Sequence, residues 1–307
     1  MKASAPHHAA RGRLYVSAAA TFWGTSATLA RFVFRDRHVP ALDVVALRLL
    51  IASSLLAVGL ALKDRAALKV HRRDWGYFLI LGLFGVAAVQ GSYYYAISKL
   101  GVGLAILIQY LAPALIVAYD VARGARVSRI VVLALLAAIG GTALLVGNVD
   151  PAALHARPVD WVVGFSAALA FAFYILYSKR GLERYAPPTV LLYTFLIAGV
   201  FWSCVTKLPH VFAAGYGPEL WGMFLLLGVF STLVPFTLFY LGLRHLPAAE
   251  AGIVATLEPV VAIVSASLVL GEGLRPLQWL GALLVLLASA IASRSHDAAH
   301  PPPPQHA

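Results

Sequence analysis

Apolar residues in this chain fall in long uninterrupted blocks separated by short polar stretches, not in the alternating or three-four spacing of a half-buried surface element. Blocks long enough to cross about 30 Å of hydrocarbon are expected as helices near 14–34, 42–62, 75–97, 102–120, 129–148, 161–178, 189–206, 220–241, 248–270 and 277–293. The predicted fold class is therefore all-α, a polytopic membrane protein of ten transmembrane helices. Residues 1–13, with His7 and His8, form an N-terminal tail. Residues 294–307, with the run Pro301 to Pro304, form a second tail; both are too polar to bury anything and are expected to be disordered.

Composition agrees with the block pattern. Of 307 residues, 61% are hydrophobic and 12% charged, where a soluble domain has roughly 25% charged residues. A net charge of +11 would raise nucleic acid as a partner for a soluble protein. Here the charges punctuate apolar blocks and read as cytoplasmic anchoring loops, so a lipid bilayer, and no nucleic acid, is expected as partner; a small-molecule substrate is expected from the internal repeats, and a second copy of the chain stays open. With the N-terminus inside, 16 lysines and arginines lie on the inner side and 7 on the outer, leaving Arg48 within the second span. Both termini are thus expected in the cytoplasm. The apolar run before Ala18-Ala19-Ala20 covers only Leu14 to Val16, too short for a cleaved signal, so a retained first span is expected.

Internal repetition supplies the organisation. Trp75 to Phe84 aligns with Trp221 to Phe230 at an offset of 146, with seven of ten residues identical, and the same offset pairs Tyr94 with Tyr240, Leu111 with Leu257 and Pro113 with Pro259. Five spans separate the copies. An odd number forces opposite orientations, so residues 14–148 and 149–293 are expected as two inverted five-helix repeats, an architecture suited to alternating access. A non-transporting scaffold or sensor is the competing class; it would fill the repeat interface with apolar packing.

Ionisable groups inside spans cost roughly 3 kcal/mol or more, which singles out Glu258 and Arg48. Glu258 lies beside Pro259, which leaves the carbonyl near Ala255 without its helical donor. An acid at such a kink is a candidate for a cavity and for proton coupling, with a paired structural glutamate as the alternative. Arg48 is expected to snorkel towards the interface, with binding of a substrate carboxylate as the competing reading. Asp43 suits the start of its helix. Pro113 and Pro259 occupy equivalent places and point to bent or discontinuous helices at a central site. Gln109, whose own carbonyl Pro113 frees, is a candidate cavity residue. Trp23 sits mid-span beside Gly24, either on a cavity or packed against a neighbouring helix, while Trp75, Trp161, Trp202, Trp221 and Trp279 read as interfacial anchors. Tyr93, Tyr94, Tyr95, Tyr110, Tyr174, Tyr177 and Tyr240 bring hydroxyls into the spans, Tyr177 as an interfacial one.

Catalysis finds no support in the residues. The histidines fall in tails, loops or a span edge, a single cysteine, Cys204, cannot build a metal cluster, and no phosphate-cradling glycine loop occurs. Neither an enzyme nor a cofactor nor a metal is expected.

The motifs Leu257-Glu258-Pro259-Val260-Val261-Ala262, Leu270-Gly271-Glu272 and Gln278-Trp279-Leu280-Gly281-Ala282-Leu283-Leu284, with Trp23-Gly24, Arg48 and Pro113 in the first half, resemble the EamA-type transporters of the drug/metabolite transporter superfamily. The resemblance covers about residues 13 to 293. It implies a central cavity lined by spans 1, 3, 4, 6, 8 and 9, and secondary transport, commonly efflux of metabolites such as amino acids, with uncoupled facilitation or import as alternatives. Carried over by position, Trp23, Gln90, Tyr94, Gln109, Pro113, Tyr174, Glu258 and Pro259 would lie at or near that cavity. Tyr110 and Tyr240 complete the substrate-binding candidates. The first copy has Ala112 where the second has Glu258, a departure from any symmetric pair of acids.

Overall fold

The computed structural model describes residues 6–35, 39–147, 156–270 and 274–299, and among them there is no β-strand. Gly271, Glu272 and the run Pro301 to Pro304 lie outside the described residues. The long helices are α1 (Pro6–Arg35), α2 (Ala41–Lys63), α3 (Arg72–Leu100), α4 (Val102–Ala122), α5 (Arg129–Val146), α6 (Pro158–Leu182), α7 (Pro187–Val205), α8 (Pro218–Leu243), α9 (Ala248–Leu270) and α10 (Pro276–Ala299). Eight of these, α2 to α9, are long and apolar enough to cross a membrane. Proline at the first helical position starts α6, α7 and α8, where a missing N–H costs nothing. Gly101 and Gly147, at φ 83° and 70°, end α3 and α5, a backbone turn that a side chain would oppose.

Two helices extend beyond their expected limits. The stretch predicted as an N-terminal tail is helical from Pro6, because Ala9 is buried and the His8 ring stacks on His245 at 5.6 Å. At the other end, α10 continues past 293 to Ala299.

The outer faces are apolar. On α6, Val162, Phe165 and Leu169 repeat at helical spacing and stand exposed, as do Leu283, Leu286 and Leu287 on α10. Such stripes suit lipid contact, while glycines let helices meet inside. Gly141 of α5 and Gly281 of α10 face each other so closely that a Cβ on either would come within 2.7 Å of the other's carbonyl oxygen. Further pairs join α2 to α7, α3 to α6, and α1 to α8 and to the second half of α9.

Several helices are not regular. Within α3, residues Leu81–Ala87 form a π-helical turn, and within α8 so do Leu227–Leu233, 146 positions further on. Helix α4 breaks at Tyr110 and Leu111 between Val102–Gln109 and Ala112–Ala122, and α9 breaks at Thr256 between Ala248–Ala255 and Leu257–Leu270. The breaks lie just before Pro113 and Pro259, where the missing donors interrupt the ladder. The predicted discontinuities are therefore present in both helices.

Candidate functional site

Arg48 does not snorkel. It is 8% exposed and turns into the bundle, where Nη1 donates to Ser231 Oγ at 3.0 Å and Nη2 to Gln90 Oε1 at 2.5 Å. Its Cζ lies 5.8 Å from the centre of the Tyr94 ring, a cation–π contact. The interface offers water, but three polar or aromatic partners inside the bundle replace it. Nε of Arg48 is buried with no hydrogen-bond partner among the described residues.

The π-helical turns help deliver these partners. A π turn inserts an extra residue and shifts the face that follows it, a feature frequent at functional sites. Ser231 lies inside the turn of α8, and Gln90 follows that of α3 by three residues. Trp202 of α7 donates from Nε1 to the carbonyl of Ala87 at 3.2 Å, at the end of the same turn, and its ring rests on Gly91. Trp202 is thus a brace between α7 and α3, a contact that its reading as an interfacial anchor does not include. The requirement for a ring at that depth is the contact with Gly91, which leaves no room for a Cβ.

Glu258 stands at the start of the second half of α9. Its Oε2 is 2.7 Å from the hydroxyl of Tyr110, which is also 3.1 Å from the carbonyl oxygen of Ala255. This is the carbonyl that Pro259 deprives of a helical donor. Glu258 and Arg48 make no ion pair with each other, yet they are near enough to interact electrostatically, as are Glu258 and the Tyr93 hydroxyl. Gln109 ends the first half of α4 with its Oε1 buried and without a donor. A buried cation with an unmet donor and an acid within electrostatic reach of it, not joined to each other directly, can accept a ligand that carries complementary groups.

Other predicted residues have different surroundings. Trp23 packs edge to face on Phe236 at 5.0 Å and against Phe239 at 5.6 Å, the helix-packing alternative. Tyr174 and Tyr240 are fully buried in a stack with Phe171 and Phe239, and the Tyr240 hydroxyl meets Ser178 Oγ at 2.8 Å. Pro113 is buried against Gly252. Tyr177 stacks on Tyr77 and Phe173. So the structure brings together Gln90, Tyr94, Tyr110 and Glu258, with Arg48 and Ser231 added, and places the Trp23, Tyr174 and Tyr240 rings in aromatic packing.

Sequence reasoning missed Ser231 and gave Arg48 its less informative reading. The signal was present: an arginine inside a span needs acceptors at its own depth, and Gln90 and the pair Ser231-Thr232 supply rare ones. Away from this site, a crevice of about 570 Å³ is lined by Leu50, Val200, Cys204, Lys207 and Phe212. Its walls are apolar apart from Lys207 and the thiol and hydroxyl of Cys204 and Ser203, and it does not include the Arg48 head group or Glu258.

At the end of α2, Asp43 sits in the first helical turn as expected, and it also holds His210. The imidazole faces two acceptors, the Lys207 carbonyl at 2.9 Å and Asp43 Oδ2 at 3.0 Å. First the carbonyl and then the carboxylate favour the doubly protonated ring, so the His210 pKa is raised above its ordinary value.

Comparison with known proteins agrees with this architecture. The chain is 27% identical over 286 residues to the uncharacterised inner membrane transporter YicL of Salmonella typhimurium, covering 92% of this chain and 95% of that one. It is 27% identical over 301 residues to the uncharacterised transporter YwfM of Bacillus subtilis, covering 94% and 97%. It is also 27% identical over 222 residues to the threonine/homoserine exporter RhtA of Escherichia coli, covering 70% of each. A solved crystal structure shares the fold, with a TM-score of 0.77 at 18% identity over 94% of this chain and 98% of its own. The profile of the EamA-like transporter family matches residues 10–147 and 161–294. With two matches that together take in nearly all of its helices, the chain belongs to the EamA-like transporter family and is a multi-pass membrane protein.

Proposed function

We propose that this protein is a secondary transporter of the cytoplasmic membrane that exports small organic metabolites of the amino-acid kind by alternating access. In this reading it crosses the membrane ten times, as two inverted five-helix repeats, with both termini in the cytoplasm. The observation that carries the proposal is the placement of Arg48 and Glu258 within electrostatic reach of each other without an ion pair. Each is inside the bundle, they do not neutralise each other directly, and Arg48 Nε retains an unused donor. A structural ion pair would have closed that gap. An amino acid offers a carboxylate to Arg48 and an ammonium to Glu258.

Repetition of the packing supports the inverted repeats. Gly82 of α3 lies against Ile197 and the Thr194 carbonyl of α7, and Gly228 of α8 lies against Ile51 and the Arg48 carbonyl of α2. A shift of 146 carries residues 48, 51 and 82 onto 194, 197 and 228. The contact of α1 with α8 likewise answers that of α6 with α3. Equivalent seams are not all equal: α1 lies along the second half of α9 more extensively than α6 lies along the second half of α4. Such inequality between equivalent seams is what a transporter closed on one side requires. The name of RhtA favours amino acids as cargo and export as the direction.

Two experiments test the reading. Cells with and without the protein are compared by untargeted metabolite analysis; accumulation of an amino-acid-like compound inside cells that lack it is expected, and identical profiles under load with every amino acid would count against export. Cysteines placed at Arg72 and Arg126 should resist a membrane-impermeant reagent in intact cells. Ready labelling would reverse the topology.

A further inference from the structure

The Tyr110 hydroxyl lies between two acceptors. It is 3.1 Å from the carbonyl oxygen of Ala255 and 2.7 Å from Oε2 of Glu258. A phenol has one proton to donate. When Glu258 is protonated, its own O–H can donate to the Tyr110 oxygen, and Tyr110 then donates to Ala255, so all three groups are paired. When Glu258 is ionised it can only accept; it draws the Tyr110 proton, and the Ala255 carbonyl loses that donor. Pro259 has no N–H to replace it.

We propose that Tyr110 is a positioning residue, a one-proton switch that ties protonation of Glu258 to the firmness of the break in α9. One proton from water forms the O–H bond at Glu258. Tyr110 keeps its own proton throughout and re-aims it. Among the described residues, the charged or titratable groups that interact with Glu258 are the Arg48 guanidinium from α2, the Tyr93 hydroxyl from α3 and Tyr110 from α4; α1 meets it through Gly24, which carries none. Position 112, equivalent to Glu258, is alanine, and position 256, equivalent to Tyr110, is threonine. The device therefore belongs to the second repeat alone. Its place in a transport cycle rests on the reading above, whereas the switch operates without substrate.

Hydrogen exchange of the segment 253–262, in full-length protein in lipid nanodiscs and corrected for intrinsic rates, tests it across a pH series. The wild type should exchange at least tenfold faster at the high end than at the low end. Glu258→Gln, whose amide can donate to Tyr110 at every pH, should stay slow throughout. Tyr110→Phe should be fast throughout, and adding Pro259→Ala, which restores a backbone donor for Ala255, should return it to slow exchange. A wild type without pH dependence, a Glu258→Gln variant that titrates like the wild type, or a Tyr110→Phe variant that keeps the wild-type profile would each overturn the proposal. Should Tyr110→Phe fail to fold, the wild type and Glu258→Gln still decide between the outcomes. A switch that works in a protein that transports nothing would refute the proposed function and leave this inference standing.

Discussion

Replacing Gly24 by alanine should force apart the seam between α1 and the second half of α9. A Cβ there would lie 2.7 Å from the Glu258 carbonyl oxygen, 2.7 Å from Val261 Cβ and 2.8 Å from the Ala262 nitrogen. Non-bonded atoms sit comfortably at about 3.5–4.0 Å, so the helices must separate by roughly 0.8 Å. Two of the three neighbours are backbone and the third is a branched Cβ, which no rotamer change can move. Overpacking of this kind costs about 1–3 kcal/mol. If the seam opens in the cycle, that energy shifts its open-to-closed ratio by about 5- to 150-fold. Hydrogen exchange of segments 20–28 and 257–265 in nanodiscs should rise at least fivefold, by the lower bound of that range. Gly59→Ala on α2, where a Cβ meets nothing within 4 Å, serves as the control and should gain about 0.5–1 kcal/mol of helix stability. Exchange in Gly24→Ala within twofold of the wild type at both segments would refute the close seam and its link to opening.

Two further outcomes follow from local chemistry. Trp202→Phe removes the donor to the Ala87 carbonyl at the end of the π-helical turn and should cost about 0.5–1.5 kcal/mol in detergent unfolding; no loss would mean that the turn needs no brace. The raised pKa of His210 sets the sign of a pH effect: the charged ring steadies the short helix Pro209–Ala213 on α2 fully below the ordinary histidine pKa, and this contribution disappears as pH rises through the raised value. Exchange of residues 207–213 should therefore quicken with rising pH in the wild type and lose that dependence in His210→Gln; an unchanged profile in the variant would assign the effect elsewhere.

The helices were legible because hydrocarbon demands apolar runs of fixed length, and the breaks in α4 and α9 because proline cannot donate. Pro259 alone marks the carbonyl near Ala255 as orphaned, although the donor that meets it, Tyr110, lies 145 positions away. The direction of Arg48 was not legible, since it is decided by Gln90 and Ser231, 42 and 183 positions distant. Neither were the π-helical turns: Leu81–Ala87 and Leu227–Leu233 carry the same apolar pattern as an ordinary helix. The start of α1 depends on burial of Ala9 and the stacking of His8 on His245, which no local pattern announces.

The most direct test of the central claim is counterflow in proteoliposomes loaded in turn with single amino acids, comparing the wild type with Arg48→Gln and Glu258→Gln. Saturable exchange of at least one amino acid is expected in the wild type, with a drop of tenfold or more in Arg48→Gln, which leaves the carboxylate unmet, and a clear reduction in Glu258→Gln. Flux of a solute that lacks a carboxylate, unchanged in both variants, would contradict the assignment of Arg48 and Glu258 as the binding pair; absence of any flux in well-folded wild-type protein would contradict transport itself.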